Sequence, residues 1–351
     1  MNLQAYISAI QSPDQRAYEA CQARMDAVAK PVGSLGKLET LLASIAAITG
    51  SPRIDLGKKC VLVFCADNGV LAQGVAQSDS SVTTAIARSL AAGTASVSVM
   101  AKACGAEVFP VDMGMVDTVP GLLDRKLAQG TGDISVGPAM TRAMAEEAIL
   151  TGIRLVEEKK HAGYQIIATG EAGIGNTTTS SAVVSALLGL PPEEVTGRGS
   201  GLSDDGLQRK IHTIRKALSV NQPTPSDPVD VLAKVGGFDL AAMTGVFLGG
   251  AVHRIPVVAD GFISGAAALC AAGLCPAVRD YILPSHISAE PAGHLVMDRL
   301  GLSPVLQADL RLGEGTGAVA LFPLLDLAAA VYHHAATFGD IQVEPYERWT
   351  C

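Results

Sequence analysis

Lys59–Gly69 reads KCVLVFCADNG, and this run decides the architecture. A strand with one wet face alternates apolar and polar residues. Cys60 to Cys65 contains no polar interruption, which predicts a strand buried on both faces, as in a parallel sheet covered by helices. Ala66-Asp67-Asn68-Gly69 then forms a polar turn at its carboxyl end. Working outward, Glu107–Asp112 (EVFPVD), Tyr164–Thr169 (YQIIAT) and Ile255–Ala259 (IPVVA) are further strands, and Tyr281–Ile287 carries Ser285 and His286. Helical spacing fills the intervals. It is seen in Tyr18, Cys21 and Met25, in Leu38, Leu41, Leu42 and Ile45, in a long Ala/Ser/Val helix ending near Ala103, and in Thr141–Lys160. Such alternation predicts an α/β fold, a mostly parallel, Rossmann-like sheet with flanking helices and right-handed crossovers. Residues 58–331 form the expected catalytic unit, with 1–57 and 332–351 as a small helical unit built from both ends.

The composition narrows the function classes. Of 351 residues, 48% are hydrophobic but only 14 are aromatic, so the core is made of small aliphatic side chains. A net charge of −8 argues against nucleic acid as a partner, because phosphate contacts need basic surface. Seven cysteines, an odd number, read as free cytosolic thiols. No HExxH or zinc-ribbon spacing is present, so no metal is expected. No leader is visible at the start, and the apolar stretches near Ala266 and Leu321 are interrupted by Gly, Pro or Asp, so neither membrane nor secretion is expected.

The chemistry concentrates in glycine turns that follow the strands. Gly170-Glu171-Ala172-Gly173-Ile174-Gly175-Asn176-Thr177 leads into a hydroxyl-rich helix start. Free N–H groups there favour a phosphate or carboxylate, while a plain helix start capped by Asn176 or Thr177 is the structural alternative. Gly197-Arg198-Gly199-Ser200-Gly201 is a second such turn, followed by Lys210, which either grips a phosphate or is a solvated helix charge. Gly33, Gly36 and Lys37 do not have phosphate-loop spacing, so Lys30 and Lys37 read as surface or entrance charges. In Asp309–Ala320 (DLRLGEGTGAVA), Leu310 and Leu312 alternate like a strand edge before a helix. That pattern puts Glu314 at a strand's carboxyl end, where open α/β sheets bind ligands. An exposed turn glutamate is the other reading.

KPVGSLGKLE, VFCADNGV, GEAGIGNTTTSSA, DVLAKVGGFDLAAMTG, ADGFISGAAAL, PSHISAE and LRLGEGTGA together resemble the nicotinate-nucleotide:dimethylbenzimidazole phosphoribosyltransferases of cobalamin biosynthesis. The resemblance runs from about residue 28 to about residue 332. It implies a homodimer in the cytoplasm, with no cofactor, acting on nicotinate mononucleotide and a small aromatic base. It implies displacement of nicotinate by a base nitrogen with inversion to an α-riboside phosphate. Glu314 is then the general base and Glu171 the second catalytic carboxylate. The resemblance sets the phosphate among Gly173, Gly175, Asn176, Thr177, Gly199, Ser200 and Lys210. Asp260 and Ser288 lie near the ribose or nicotinate, Ser78 and Leu312 lie near the base, and Gly313 is a further substrate-binding position.

Three departures fall on the base side: Ser78-Asp79-Ser80-Ser81 where the family often has Ser-Pro-x-Glu, Ile86 for a common glutamine, and Ala172 for a frequent methionine. They point to the same reaction with a shifted base preference, toward purines, other benzimidazoles or phenolics. An N-ribosyl hydrolase and a nucleotide-binding regulatory subunit are the competing readings. The presence of both Glu171 and Glu314 in glycine settings disfavours the second.

Overall fold

A computed structural model describes residues 1–346. Positions 347–351 of the expected helical unit, Cys351 among them, lie outside the described residues. Six strands form one sheet: β1 (Lys59–Ala66), β2 (Ala106–Gly114), β3 (Leu123–Asp124), β4 (Ile166–Ala172), β5 (Val257–Ala259) and β6 (Ile282–Pro284). Their order is β3-β2-β1-β4-β5-β6, and every neighbouring pair is parallel. All eight residues of β1 are buried, as its unbroken apolar run requires. Strand order reverses direction between β1 and β4. The connections leaving their carboxyl ends therefore diverge and open a crevice above them.

Several elements differ from the sequence expectation. The long helix to Ala103 is two helices, Ser80–Ala91 and Ser96–Ala103, parted by a turn at Gly93 with φ 71°. Asp309–Gly313 is not a strand. Asp309 turns left-handed at φ 51°, Leu312 is exposed, and Leu310 lends only its carbonyl to Ala289 N–H. The two leucines alternate without two faces to bury. Lys30 is no surface charge: it is only 12% exposed and ion-pairs with Glu39 at 2.6 Å, while Lys37 donates to the Pro304 carbonyl.

Pro323 does not interrupt the helix Thr316–His334. Among the described residues this is the one helix long and apolar enough to cross a membrane, and half of that span is buried inside the protein. It packs on β4 and on the helices Lys37–Thr49 and Ser96–Ala103. The chain ends meet where Ala29 N–H bonds Ala336 O and Phe338 N–H bonds Ala27 O. Met25, Leu42 and Ile45 join the same buried cluster as the sheet. The six described cysteines are free thiols.

Candidate active site

β4 ends in Gly170-Glu171-Ala172, and Gly170 is the position where the chain after β6 crosses it. A side chain at Gly170 would collide with the carbonyl of Glu314. The two carboxylates singled out from sequence are thus brought together by one close backbone crossing. Gly313, Glu314 and Gly315 all have positive φ, at 87°, 62° and 93°. For glutamate this conformation is strained, at a cost of roughly 1–3 kcal/mol.

Three contacts hold it. The Asp260 carboxylate, at the end of β5, accepts from Gly315 N–H and Ala318 N–H, both at 3.0 Å. The Glu171 carboxylate accepts from Glu314 N–H. Gly313 has no side chain, which lets Glu171 Oε1 pack against it. Asp260 therefore serves as the N-terminal anchor of the helix Thr316–His334. Both its oxygens are engaged, and burial raises its carboxyl to about 7 against those backbone bonds. The Glu314 side chain is left half-buried with Val97 N–H 3.4 Å from Oε2, and burial raises its carboxyl above the ordinary range.

Beneath Glu171 the site is unusually acidic. Asn176 donates its amide nitrogen to Glu171 Oε2 and, at 3.2 Å, to Asp239 Oδ2. Burial pushes Glu171 well above the carboxylate range, with the Asp239 charge adding to it, and burial lifts Asp239 to about 6. Asn176 is thus not a helix cap, and neither is Thr177: the cap position of Asn176–Leu188 is Gly175 at φ 96°, with no side-chain bond.

A buried cation lies beside the same helix start. Lys210 is 1% exposed, far from the solvated helix charge its polar surroundings in sequence allow. Its Nζ donates to Thr177 Oγ1 at 2.8 Å and to the Gly197 carbonyl at 3.1 Å. Burial lowers it to about 8, opposed by the Glu290 carboxylate. A side chain at Gly199 would contact both Thr177 Oγ1 and Lys210 Nζ, so the second glycine turn lies directly over the lysine. An ammonium hydrogen-bonded only to neutral oxygens beside an uncapped helix start is a receptive place for an anion.

Of the residues expected from sequence, Glu171, Gly173, Gly175, Asn176, Thr177, Gly199, Ser200, Asp260, Ser288, Leu312, Gly313 and Glu314 line one cleft of about 950 Å³ including its open mouth. Lys210 stands behind that wall. Ser78 is not in the lining; it sits half-buried on the bend before the helix Ser80–Ala91, which Asp79 caps through Ser81 N–H. Ile86 and Ala172, two of the departures, do line it.

Sequence reading assigned no role to Arg198, Glu290, Arg311 or His286, all in the lining, nor to Asp239 below it. Proximity of Arg198 and Glu290 to assigned turns was the available signal. Asp239 gave none, because its partner is 63 residues away. His286 is neutral, held down to about 4 by burial, with Nδ1 3.0 Å from Ser285 Oγ. Among the described residues no His, Cys, Asp and Glu cluster has the arrangement to hold a metal.

Comparison with known proteins places this cleft in context. A family model described as phosphoribosyltransferase matches residues 10–343. The nicotinate-nucleotide–dimethylbenzimidazole phosphoribosyltransferase of Ruminiclostridium cellulolyticum is 45% identical over 349 residues, covering 99% of each chain. The Escherichia coli protein of the same name is 44% identical over 333 residues, 93% of this chain and 92% of its own. The crystal structure of CobT from Thermus thermophilus superposes with a TM-score of 0.89 at 40% identity, covering 94% of this chain and 99% of the other.

Proposed function

The chain belongs to the nicotinate-nucleotide–dimethylbenzimidazole phosphoribosyltransferase family, and we propose that it transfers the phosphoribosyl group of nicotinate mononucleotide to a lower-ligand base in cobalamin synthesis. The observation that carries the mechanism is the polarity of one cleft. Lys210, held by Thr177 Oγ1 under the second glycine turn, supplies the cation, and Glu171 and Glu314, joined at one backbone crossing, supply the carboxylates. Nicotinate mononucleotide has the matching polarity, an anionic phosphate and a cationic ring nitrogen at the anomeric carbon.

A base nitrogen attacks the anomeric carbon from the face opposite nicotinate. The bond to the pyridinium nitrogen breaks and its electron pair returns to that ring, so the leaving group needs no proton. The transition state is oxocarbenium-like, as in other glycosyl transfers. The attacking imidazole becomes cationic, and its remaining N–H passes the proton to Glu314. A carboxylate raised by burial is suited to this, because proton transfer is most effective when the base titrates near the working pH. Glu171, when ionised, balances the positive charge at the ribose. The homodimer and cytosolic setting implied by the resemblance belong to the same reading.

The base itself is the open variable, and Ile86 and Ala172 in the lining favour a preference shifted from dimethylbenzimidazole. The test is product formation from nicotinate mononucleotide with dimethylbenzimidazole, other benzimidazoles, purines and phenols, beside Glu314→Gln. The expected result is an α-riboside phosphate from at least one base and a loss of about 10²–10⁴-fold in kcat for the variant. Free ribose phosphate without transfer to any base would point to a hydrolase. A strict preference for dimethylbenzimidazole would remove the shifted-preference reading alone.

A further inference from the structure

Asp239 opens the helix Phe238–His253, is fully buried, and does not line the cleft. One oxygen accepts from Leu240 N–H at 2.9 Å and the other from Asn176 Nδ2. That same amide nitrogen serves Glu171. Two buried carboxylates are thus joined through a single neutral donor.

The groups facing the pair from the surrounding elements offer no compensation. The other charged neighbour of Glu171 is Asp260 from β5, and from the loop before the helix Thr316–His334 it receives only the Glu314 N–H. From β1, Cys65 presents a thiol that burial and the surrounding acids, Glu171 and Asp239 among them, hold protonated. Two negative charges in such a place would each lose hydration with no cation to offset it.

We propose that Asp239 is a positioning residue for the transfer reaction: through Asn176 it shares one negative charge with Glu171, so that Glu171 holds a proton until a cationic donor occupies the cleft. This rests on the phosphoribosyl reading above. On binding, the pyridinium stabilises the second negative charge, the Glu171 O–H bond breaks, and its proton passes to solvent. The carboxylate so formed faces the developing positive charge on the ribose. Keeping it protonated beforehand avoids an uncompensated buried dianion in the empty cleft and ties its ionisation to the presence of the right ligand.

Asp239→Asn tests this, since the amide oxygen can still accept from Asn176 while the charge is gone. In the ligand-free protein near pH 7, infrared spectra of wild type should show a protonated-carboxyl band that Glu171→Gln removes. In Asp239→Asn the midpoint of that band should fall by at least about one pH unit, a tenfold change in the equilibrium. In calorimetry with nicotinate mononucleotide in buffers of different protonation enthalpy, wild type should release more protons than Asp239→Asn or Glu171→Gln. Ribose 5-phosphate, which has the phosphate but no pyridinium, corrects for titration of Lys210 and of the phosphate.

A Glu171 band whose midpoint is unchanged in Asp239→Asn, or equal proton release by all three proteins, overturns the proposal. The infrared arm needs no substrate. Failure of the transferase reading would therefore appear as absent turnover and ligand binding with the band shift intact.

Discussion

Glu314 sits at φ 62° between two glycines that are also left-handed, and its strain persists because Asp260, Glu171 and Gly170 over-determine the turn. Gly313 has two reasons to be glycine: φ 87°, and a Glu171 carboxylate where a Cβ would stand. Gly313→Ala should therefore lower stability by roughly 1–3 kcal/mol and reduce kcat more than it raises KM for nicotinate mononucleotide. Urea unfolding read beside steady-state kinetics checks both. At this scale the sequence was informative about identity: glycines around a carboxylate marked Glu314 because the local chemistry is written in adjacent residues, and the resemblance added Glu171. Asp260 was reached only through the resemblance, because its bond to Ala318 N–H, 58 residues away, leaves no local pattern.

Among the elements, the helices Arg142–His161 and Phe238–His253 approach closely enough that a side chain at Gly245 would meet the Ile149 carbonyl, and one at Gly152 the Ala242 carbonyl. This packing fixes the helix whose first turn carries Asp239. Gly245→Ala meets backbone, which cannot rotate away as a flexible side chain would. Overpacking of this kind costs about 1–3 kcal/mol, with the Asp239 carboxylate shifted away from Asn176 as a result. A lowered thermal midpoint and a fall in kcat should appear together, whereas Ala substitution at the half-buried but unobstructed Gly137 should leave both unchanged. Strand and helix periods were read correctly wherever an element buries a whole face, as in β1. They misled at Leu310 and Leu312, where two apolar residues alternate in a segment that makes a single ladder-like bond.

For the whole molecule, the buried acids set an unusual dependence of stability on pH. Burial raises Asp239 from 3.8 to about 6 and Asp260 from 3.8 to about 7. Between those values the native state holds protons that the unfolded chain has released, so stability falls as pH rises through the window. His286, lowered by burial from 6.5 to about 4, acts in the opposite sense, since there the unfolded chain binds the extra proton. Lys210, at about 8 instead of 10.5, favours the native state increasingly only above pH 8. Asp239→Asn should gain on wild type by on the order of 3 kcal/mol in unfolding free energy from about pH 4 to about pH 7. Parallel denaturation series read it, and a constant difference across that range would refute the assignment. By itself the sequence determined the parallel α/β class, the family, and the glycine turns that carry Glu171 and Glu314, because periodicity and turn chemistry are properties of neighbouring residues. Only the tertiary structure decided that Lys210 is buried, that Ser78 lies off the cleft, and that Asp239 reaches Glu171 through Asn176. Burial and charge pairing depend on which distant segments the sheet order brings together, and no local pattern encodes that.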